Sequence, residues 1–204
     1  MRMSRKLAMR CGGIPLKTLA VGSSVWLNEN ETAAEYIVLA HDYPVSGGTL
    51  VMRKIAIGSI TMNASTPTTY VDTDLDVYLN GDFLATLDAS VQKCMMAVPV
   101  TCLDKDSAAT TVTRKVYLLS RAELGGTASE EGTAIPYFSD DSLKICYAVD
   151  ATAVEWWTRT IYYSWTTYFR TVGSDGAFTT QSATGSCYVR PAFTLPGNFK
   201  IKNK

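Results

Sequence analysis

Residues that commonly act as nucleophiles, bases or metal ligands are sparse in this chain of 204 residues. His41 is the only histidine, so any Ser–His or Cys–His catalytic system would depend on it. It ends an apolar segment and precedes Asp42, a setting typical of a structural or surface histidine. The five cysteines are an odd number without a C-x-x-C pair. This favours reduced apolar thiols over a disulfide framework or a zinc site, with one fortuitous or intermolecular bridge as the alternative.

Three aspartates, Asp72, Asp74 and Asp76, have the D-x-D-x-D spacing that opens a calcium-binding loop. An EF-hand loop then requires glycine at its sixth position and glutamate at its twelfth, and these positions hold Val77 and Phe83. A solvated helix start is the better interpretation. The sequence also contains no Gly-rich phosphate loop and no H-E-x-x-H motif. We therefore expect a protein that is not an enzyme and that has no metal and no cofactor.

Aromatic side chains are concentrated between residues 156 and 169, among Ser and Thr. Tyr and Trp supply interface hot spots and stack on sugar rings, while hydroxyl groups add adaptable hydrogen bonds. Neighbours on a strand face opposite ways, so we expect Trp156 in the core and the ring of Trp157 partly exposed. The alternative for the later rings is burial in the core or in subunit contacts. The predicted ligand-binding residues are Tyr162, Tyr163, Ser164, Trp165, Thr166, Thr167, Tyr168 and Gln181.

The formal net charge is zero, because 19 lysines and arginines balance 19 aspartates and glutamates. The net charge therefore produces no overall electrostatic attraction to nucleic acid. No apolar run approaches the ~20 residues of a membrane helix. The first ten residues nevertheless contain Arg2, Arg5, Lys6 and Arg10, without the apolar stretch of a secretory signal. We predict a basic assembly arm over residues 1–13 and a single domain over residues 14–204, with no nucleic acid partner and no membrane insertion.

The elements that would position these residues are short strands on either side of one helical region. Between residues 74 and 97, apolar residues recur at three- and four-residue steps, which predicts one buried helix face. Asp74 is expected to be an N-cap, and Gly81 is expected to break the run. Ser120 and Glu123 have capping-box spacing, which predicts a short helix start. Pro191 must lie at an edge or a bulge of its strand. Strands are predicted at residues 24–27, 35–41, 49–53, 115–119, 168–172, 177–180 and 188–195. The first two are predicted to form a hairpin with its turn at residues 28–31, and the Asp-Gly step within residues 173–176 predicts a second hairpin. The Thr-rich segment that follows a short strand after Pro99 is expected to be a loop.

Five short segments occur in an order that resembles a known domain family. They are Y-L-N-G-D-F-L at residues 78–84, K-V-Y-L-L-S at 115–120, W-W-T-R at 156–159, V-G-S-D-G at 172–176 and V-R-P-A at 189–192. Through them the chain resembles a family of uncharacterised domains common in Firmicutes prophages and gut bacteria (DUF6273-like). Thr158 and Thr160 depart from that pattern, which has Leu and Pro there, and Cys187-Tyr188 stand where Gly would precede Val-Arg-Pro.

The end pattern of that family is similar to the C-type-lectin-like fold of formylglycine-generating enzymes and phage variable proteins. The resemblance implies an α+β fold, a single C-type-lectin-like domain with a twisted antiparallel sheet, one or two helices and long loops. A small unrelated β-sandwich with a helical insert is the alternative. The recurring motifs include Trp156, Trp157, Arg159, Arg190 and Pro191, and each arginine is expected to tie loop carbonyls or a carboxylate together inside the fold.

The expected function combines the phage setting of the resemblance with the binding chemistry of the aromatic stretch. We expect a non-enzymatic bacteriophage virion protein, assembled in the cytoplasm of the bacterial host and located at the tail tip, in a fibre or on the capsid as a decoration. Its expected partners are other virion proteins through the arm, further copies of itself in a homo-oligomer, and a host-surface glycan or protein. The alternative is a purely structural virion subunit whose aromatic loops are buried in assembly contacts.

Overall fold

Strands dominate the computed structural model, which describes residues 13–127, 130–162 and 167–201. Strands account for 42% of the structure and helices for 16%. The prediction of an α+β, C-type-lectin-like domain is therefore wrong: the fold is mostly β. One reason is the Thr-rich segment Ala109–Arg114, which was expected to be a loop and is a strand. Threonine is β-branched and suits an exposed strand as well as a loop.

The strands are β1 (Ile14–Pro15), β2 (Ser24–Glu29), β3 (Thr32–His41), β4 (Gly48–Arg53), β5 (Ser59–Thr61), β6 (Val98–Leu103), β7 (Ala109–Arg114), β8 (Val116–Tyr117), β9 (Cys146–Tyr147), β10 (Ala153–Val154), β11 (Trp156–Ile161), β12 (Tyr168–Val172), β13 (Phe178–Ser182), β14 (Ser186–Tyr188), β15 (Ala192–Pro196) and β16 (Lys200–Ile201). Two-stranded sheets join β1 to β16, β9 to β10 and β6 to β7. Two larger sheets have five strands each.

The first five-stranded sheet has the order β2-β3-β4-β15-β8 and is antiparallel throughout. The β2–β3 hairpin predicted from the sequence is present. Its turn is tighter than expected, because Asn30 and Glu31 have φ of 46° and 66° and the strands continue to Glu29 and Thr32. Two consecutive positive φ angles are typical of the turns that join tightly twisted hairpins.

The second five-stranded sheet has the order β13-β12-β11-β14-β5. Strands β11 and β14 are parallel, and the other neighbours are antiparallel. The predicted hairpin around residues 173–176 is present between β12 and β13. Gly176 is required in its turn, since φ is 88° and a Cβ at this position would lie 2.0 Å from the backbone oxygen of Asp141.

The helical region consists of α1 (Asp74–Tyr78), a π-helical turn (Leu79–Phe83), α2 (Leu84–Thr86) and α3 (Ala89–Cys94). The predicted apolar face is buried, and the chain passes through Gly81 without a break. Thr73, rather than Asp74, caps α1, because its hydroxyl accepts a hydrogen bond from the Asp76 amide at 3.2 Å. Short 3-10 turns lie at Leu16–Thr18, Pro136–Phe138 and Asp141–Lys144.

The strand predicted at residues 188–195 is divided between the two large sheets. β14 belongs to one sheet and β15 to the other, and the chain crosses between them at Val189, Arg190 and Pro191. Pro191 cannot donate a ladder hydrogen bond, but its carbonyl accepts one from Arg53 N at 2.9 Å. Both sheets contribute to one buried apolar cluster. Within the part of the chain that the structure describes, no helix is long and apolar enough to cross a bilayer.

Candidate functional site

His41 is held on both sides of its ring. Its Nε2 lies 2.9 Å from the carbonyl oxygen of Leu19, and its Nδ1 lies 3.0 Å from Thr49 Oγ1. A carbonyl can only accept a hydrogen bond, so Nε2 carries a proton, and in the neutral ring Nδ1 accepts from the threonine hydroxyl. The histidine therefore ties the chain before β2 to β3 and β4.

The cysteines in the described ranges are free thiols, and three of the four are buried. Burial raises the pKa of Cys102 to about 12 and the pKa of Cys187 to about 12, and it also raises the pKa of Cys146. A thiol with a raised pKa provides little thiolate at neutral pH, so these three are poor nucleophiles.

The three aspartates of the D-x-D-x-D segment contact different partners. Asp74 accepts the Ala64 amide at 2.7 Å, and Asp72 forms an ion pair with Arg114 at 2.7 Å. Asp76 is buried and binds the same guanidinium at 2.8 Å, so the expectation of a fully solvated helix start is wrong for this residue. Among the residues described, no group of three or more histidine, cysteine or acidic side chains could hold a metal ion.

Arg159, a residue of β11, is the centre of a buried polar cluster. Its side chain is only 2% exposed, and its Nη1 lies 2.5 Å from Glu123 Oε2. The guanidinium also donates to the carbonyls of Thr101 at 3.1 Å, Leu118 at 2.8 Å and Glu131. Burial alone would lower the pKa of Arg159, but the charge and hydrogen bond of Glu123 outweigh this effect and raise it. The arginine thus joins four chain segments from inside the fold.

Glu123 links this cluster to the predicted capping box. Its carboxylate accepts the Ser120 amide at 2.7 Å and the Tyr43 hydroxyl at 2.6 Å, and its own amide donates to Ser120 Oγ at 3.1 Å. The reciprocal capping-box bonds therefore form, but they close a series of turns instead of the predicted helix. The buried carboxylate therefore pairs with Arg159 and also accepts a hydrogen bond that closes the turn.

Both tryptophans of the W-W-T-R segment are fully buried. Trp156 Nε1 donates to the Lys144 carbonyl at 3.0 Å, and Trp157 Nε1 donates to the Ile60 carbonyl at 2.8 Å. The expectation that the Trp157 ring is partly exposed is therefore wrong, because the sheet is covered on both faces at this point. Arg190 is also buried; its Nε donates to the Arg53 carbonyl at 2.9 Å, and its guanidinium lies 5.3 Å from the centre of the Trp156 ring.

Beyond these buried residues, the end of the β11–β12 hairpin becomes partly exposed. Ile161 and Phe169 are buried, whereas Tyr162, Thr167 and Tyr168 are partly exposed. The Tyr162 amide donates to the Tyr168 carbonyl at 2.8 Å, so the hairpin remains paired up to these residues. The hairpin therefore presents its tyrosines at the rim of a packed sheet.

Strand register decides which side chains share the outer face of this hairpin. Tyr168 lies opposite Ser182, and Arg170 lies opposite Thr180. The Arg170 guanidinium lies 4.1 Å from the centre of the Tyr162 ring, a cation–π distance. We call Tyr162, Tyr168, Arg170 and Ser182 the hairpin-end surface. Arg170 and Ser182 were missed by the sequence prediction, although Arg170 stands two residues after Tyr168, the spacing of one strand face.

Gln181 does not belong to the hairpin-end surface. It lies opposite the buried Phe169, on the other face of the sheet from Tyr168. Its Oε1 accepts the Ser182 amide at 2.8 Å, so its side chain folds back on the β13–β14 turn. The structure thus brings Tyr162, Thr167 and Tyr168 together and separates Gln181 from them.

Several predicted residues lie outside the described ranges. These are Tyr163, Ser164, Trp165 and Thr166 of the predicted ligand-binding set, and Arg2, Arg5, Lys6 and Arg10 of the predicted assembly arm.

A second feature was not anticipated from the sequence. A cavity of about 500 Å³ lies between the helical region and the β7–β8 junction, and Asn80, Gly81, Arg114 and Lys115 are among its lining residues. The signal in the sequence was the Y-L-N-G segment at residues 78–81, which was used only as a mark of family resemblance.

Comparison with known proteins supports the resemblance noted in the sequence. The chain matches the family model described as Domain of unknown function (DUF6273) over residues 46–197. No curated protein and no solved structure matches the chain. The matched region extends from just before β4 to just after β15 and includes all five motif segments, and it covers more than half of the chain. The protein therefore belongs to the DUF6273 family.

Proposed function

We propose that this chain is a non-enzymatic bacteriophage virion protein that binds the host cell surface, with a carbohydrate as the ligand class, through the hairpin-end surface. The observation that carries the proposal is the contrast along one hairpin. Arg159 and Trp157 are locked in a buried network, while Tyr162 and Tyr168, a few residues further on, are partly exposed. Rigid sheets that display short adaptable ends are a common design for recognition.

The chemistry of the hairpin-end surface suits a polyhydroxylated ligand. Tyrosine rings pack against the C–H faces of sugars, and the guanidinium of Arg170 and the hydroxyl of Ser182 can bond to sugar hydroxyls. Ser182 Oγ also lies 3.1 Å from the hydroxyl of the exposed Thr184, which extends the polar edge of the surface. Because these residues are borne on paired strands, little conformational freedom is lost when a ligand binds.

The particle setting of the proposal comes from the family resemblance, which points to prophages. In this setting, the basic residues of the first ten positions would bind other virion proteins, and several copies would assemble as a homo-oligomer in the host cytoplasm before release. The domain would then be displayed on the virion, at the tail tip, in a fibre or as a capsid decoration.

The test is binding of the purified protein to host cells, compared among three single variants. We expect Tyr168→Ala and Arg170→Ala each to weaken cell binding by about tenfold, equivalent to ~1.4 kcal/mol. Thr179→Ala is the matched control, since Thr179 is exposed on β13 but lies on the other face of the sheet, opposite Thr171. If all three variants bind host cells as tightly as the wild-type protein does, each with an unchanged melting temperature, the hairpin-end surface is not the binding site.

A structural virion subunit is the second candidate, and exposed apolar residues elsewhere favour it. Val149 is 89% exposed, and Tyr147 and Trp26 are exposed by 45% and 41%. Exposed apolar side chains of this size are often covered in an assembly. Substituting Val149 by Ser separates the two functions. Loss of particle assembly with normal cell binding of the purified chain supports the structural role, and normal assembly by this variant removes the exposed Val149 as support for it.

A further inference from the structure

The cavity beside Asn80, here named the Asn80 cavity, lies away from the hairpin-end surface. Its volume of about 500 Å³ is within the range of small-molecule sites. The helical region forms one wall through Val77, Asn80, Gly81 and Leu84, and the β7–β8 junction forms the other. It shares no lining residue with the hairpin-end surface.

Asn80 holds the two walls of this cavity in place. Its Nδ2 donates to the carbonyls of Asp76 at 3.0 Å and Val116 at 2.9 Å. Its Oδ1 accepts the amides of Lys115 and Val116, both at 3.2 Å. A single side chain therefore fastens the π-helical turn to the strand junction. The cavity is preformed and does not depend on a mobile loop.

Gly81 has no explanation within the fold. It is exposed in a helical segment, where glycine is less stable than alanine. It is absent from the glycines with positive φ, and apart from its chain neighbours and the nearby backbone of its own helix, no atom of the described chain lies within 4 Å of where a Cβ would stand. It also sits in a π-helical turn, a rare geometry that is frequent at functional sites. The open backbone at Gly81 thus allows a group from outside the chain to approach closely.

The lining of the Asn80 cavity indicates the chemical class of ligand that would fit there. Two carboxylates, Asp72 and Asp76, face two cations, Arg114 and Lys115, so the formal charge of the lining is zero. Asp76 and Asp72 are both paired with Arg114, at 2.8 and 2.7 Å, but the Asp72 side chain is 78% exposed, so its carboxylate can accept further hydrogen bonds. Lys115 Nζ donates to the Gln92 carbonyl at 3.2 Å and has further N–H donors. Neutral hydroxyl groups can donate to the Asp72 carboxylate and accept from Lys115 without leaving an unpaired charge.

The apolar part of the lining completes this match. Val77 and Leu84 line the same wall as Gly81, and Val77 is 61% exposed. An apolar patch next to mixed donors and acceptors matches a sugar ring, which has C–H faces and a polar rim. We infer that the Asn80 cavity is a binding site for one or two neutral sugar units, separate from the hairpin-end surface. The carbohydrate class is shared with the proposed function, but the site is a different one.

The experiment follows backbone amide chemical shifts of the full-length protein during titration with neutral sugars. The probes are glucose, galactose, rhamnose and N-acetylglucosamine. We expect the amides of Gly81 and Lys115 to shift saturably with at least one probe. Gly81→Leu should weaken this binding by about tenfold or more, because the side chain would occupy the cavity. Ala85→Leu is the matched control, since Ala85 is exposed on α2 and does not line the cavity.

A second variant keeps the test valid if Gly81→Leu does not fold. Asp72→Asn changes an exposed side chain and should weaken sugar binding severalfold. Three results would overturn the inference: no shift at Gly81 with any sugar, wild-type binding by both cavity variants, or tighter binding of inorganic phosphate than of every sugar. Tyr168→Ala distinguishes this site from the proposed function, because it should lower host-cell binding while the sugar-dependent shifts at Gly81 remain.

Discussion

Replacing Glu123 by glutamine should destabilise the protein by about 3 kcal/mol, because breaking a buried ion pair leaves an uncompensated charge. The Glu123 and Arg159 side chains are 3% and 2% exposed, and their closest atoms are 2.5 Å apart. Such losses fall in the range of roughly 3–5 kcal/mol. We place this one at the lower end because glutamine can keep its oxygen where Oε2 now accepts the Ser120 amide at 2.7 Å. Its Nε2 would then replace Oε1 and can donate to the Tyr43 hydroxyl, which now donates to the carboxylate at 2.6 Å.

The assay is equilibrium unfolding in urea, with the free energy extrapolated to water for each variant. Glu130→Gln is the matched control, since Glu130 is exposed and close in sequence to the cluster; its effect should stay within about 0.5 kcal/mol. A loss of stability below about 1 kcal/mol for Glu123→Gln, at an unchanged m-value, would refute the view that the buried polar cluster around Arg159 depends on the Glu123–Arg159 ion pair.

Three further predictions concern stability. Gly81→Ala should raise the free energy of unfolding by about 0.5–1 kcal/mol, since the site is helical and unobstructed, and a decrease in urea unfolding would contradict this. Burial raises the pKa of Glu131 above its ordinary value of 4.5, although Arg159 opposes the shift. Its stabilising contribution is therefore full below that value and is lost as the pH rises through the raised pKa. The stability of wild type relative to Glu131→Gln should accordingly increase on acidification. If the melting temperatures of the two proteins differ by the same amount at every pH, this prediction is wrong. Trp157→Phe should cost about 1–3 kcal/mol, because the Ile60 carbonyl, in a partly buried position, loses its donor; a thermal unfolding curve like that of wild type would show that another group replaces it.

Local turn chemistry made part of the fold predictable. The hairpin around Asp175 and Gly176 and the hairpin between β2 and β3 both form where turn residues separate apolar alternation. The buried face of the helical region was equally visible, because its period is a property of neighbouring residues. These features depend on contacts within a few residues along the chain.

The errors arise where distant segments decide the outcome. The single strand predicted at residues 188–195 is divided because β14 pairs with β5 and β11, while β15 pairs with β4 and β8. Trp157 is buried because both faces of its sheet are covered, and Gln181 faces Phe169 because of a register that no local signal fixes. The mostly β fold follows from such long-range pairings, which the resemblance to C-type-lectin-like domains did not describe.

The most direct test of the proposed function is host-cell adsorption of phage particles carrying Tyr162→Ala and Tyr168→Ala together, both partly exposed residues of the hairpin-end surface, measured beside the melting temperature of the purified double variant. If the aromatic stretch binds the host, adsorption should fall at least about tenfold, since each ring contributes roughly 0.5–1.5 kcal/mol beyond its buried area. The melting temperature should stay close to that of wild type. Wild-type adsorption by a folded double variant would contradict the account, because the hairpin-end surface would then have no part in host binding.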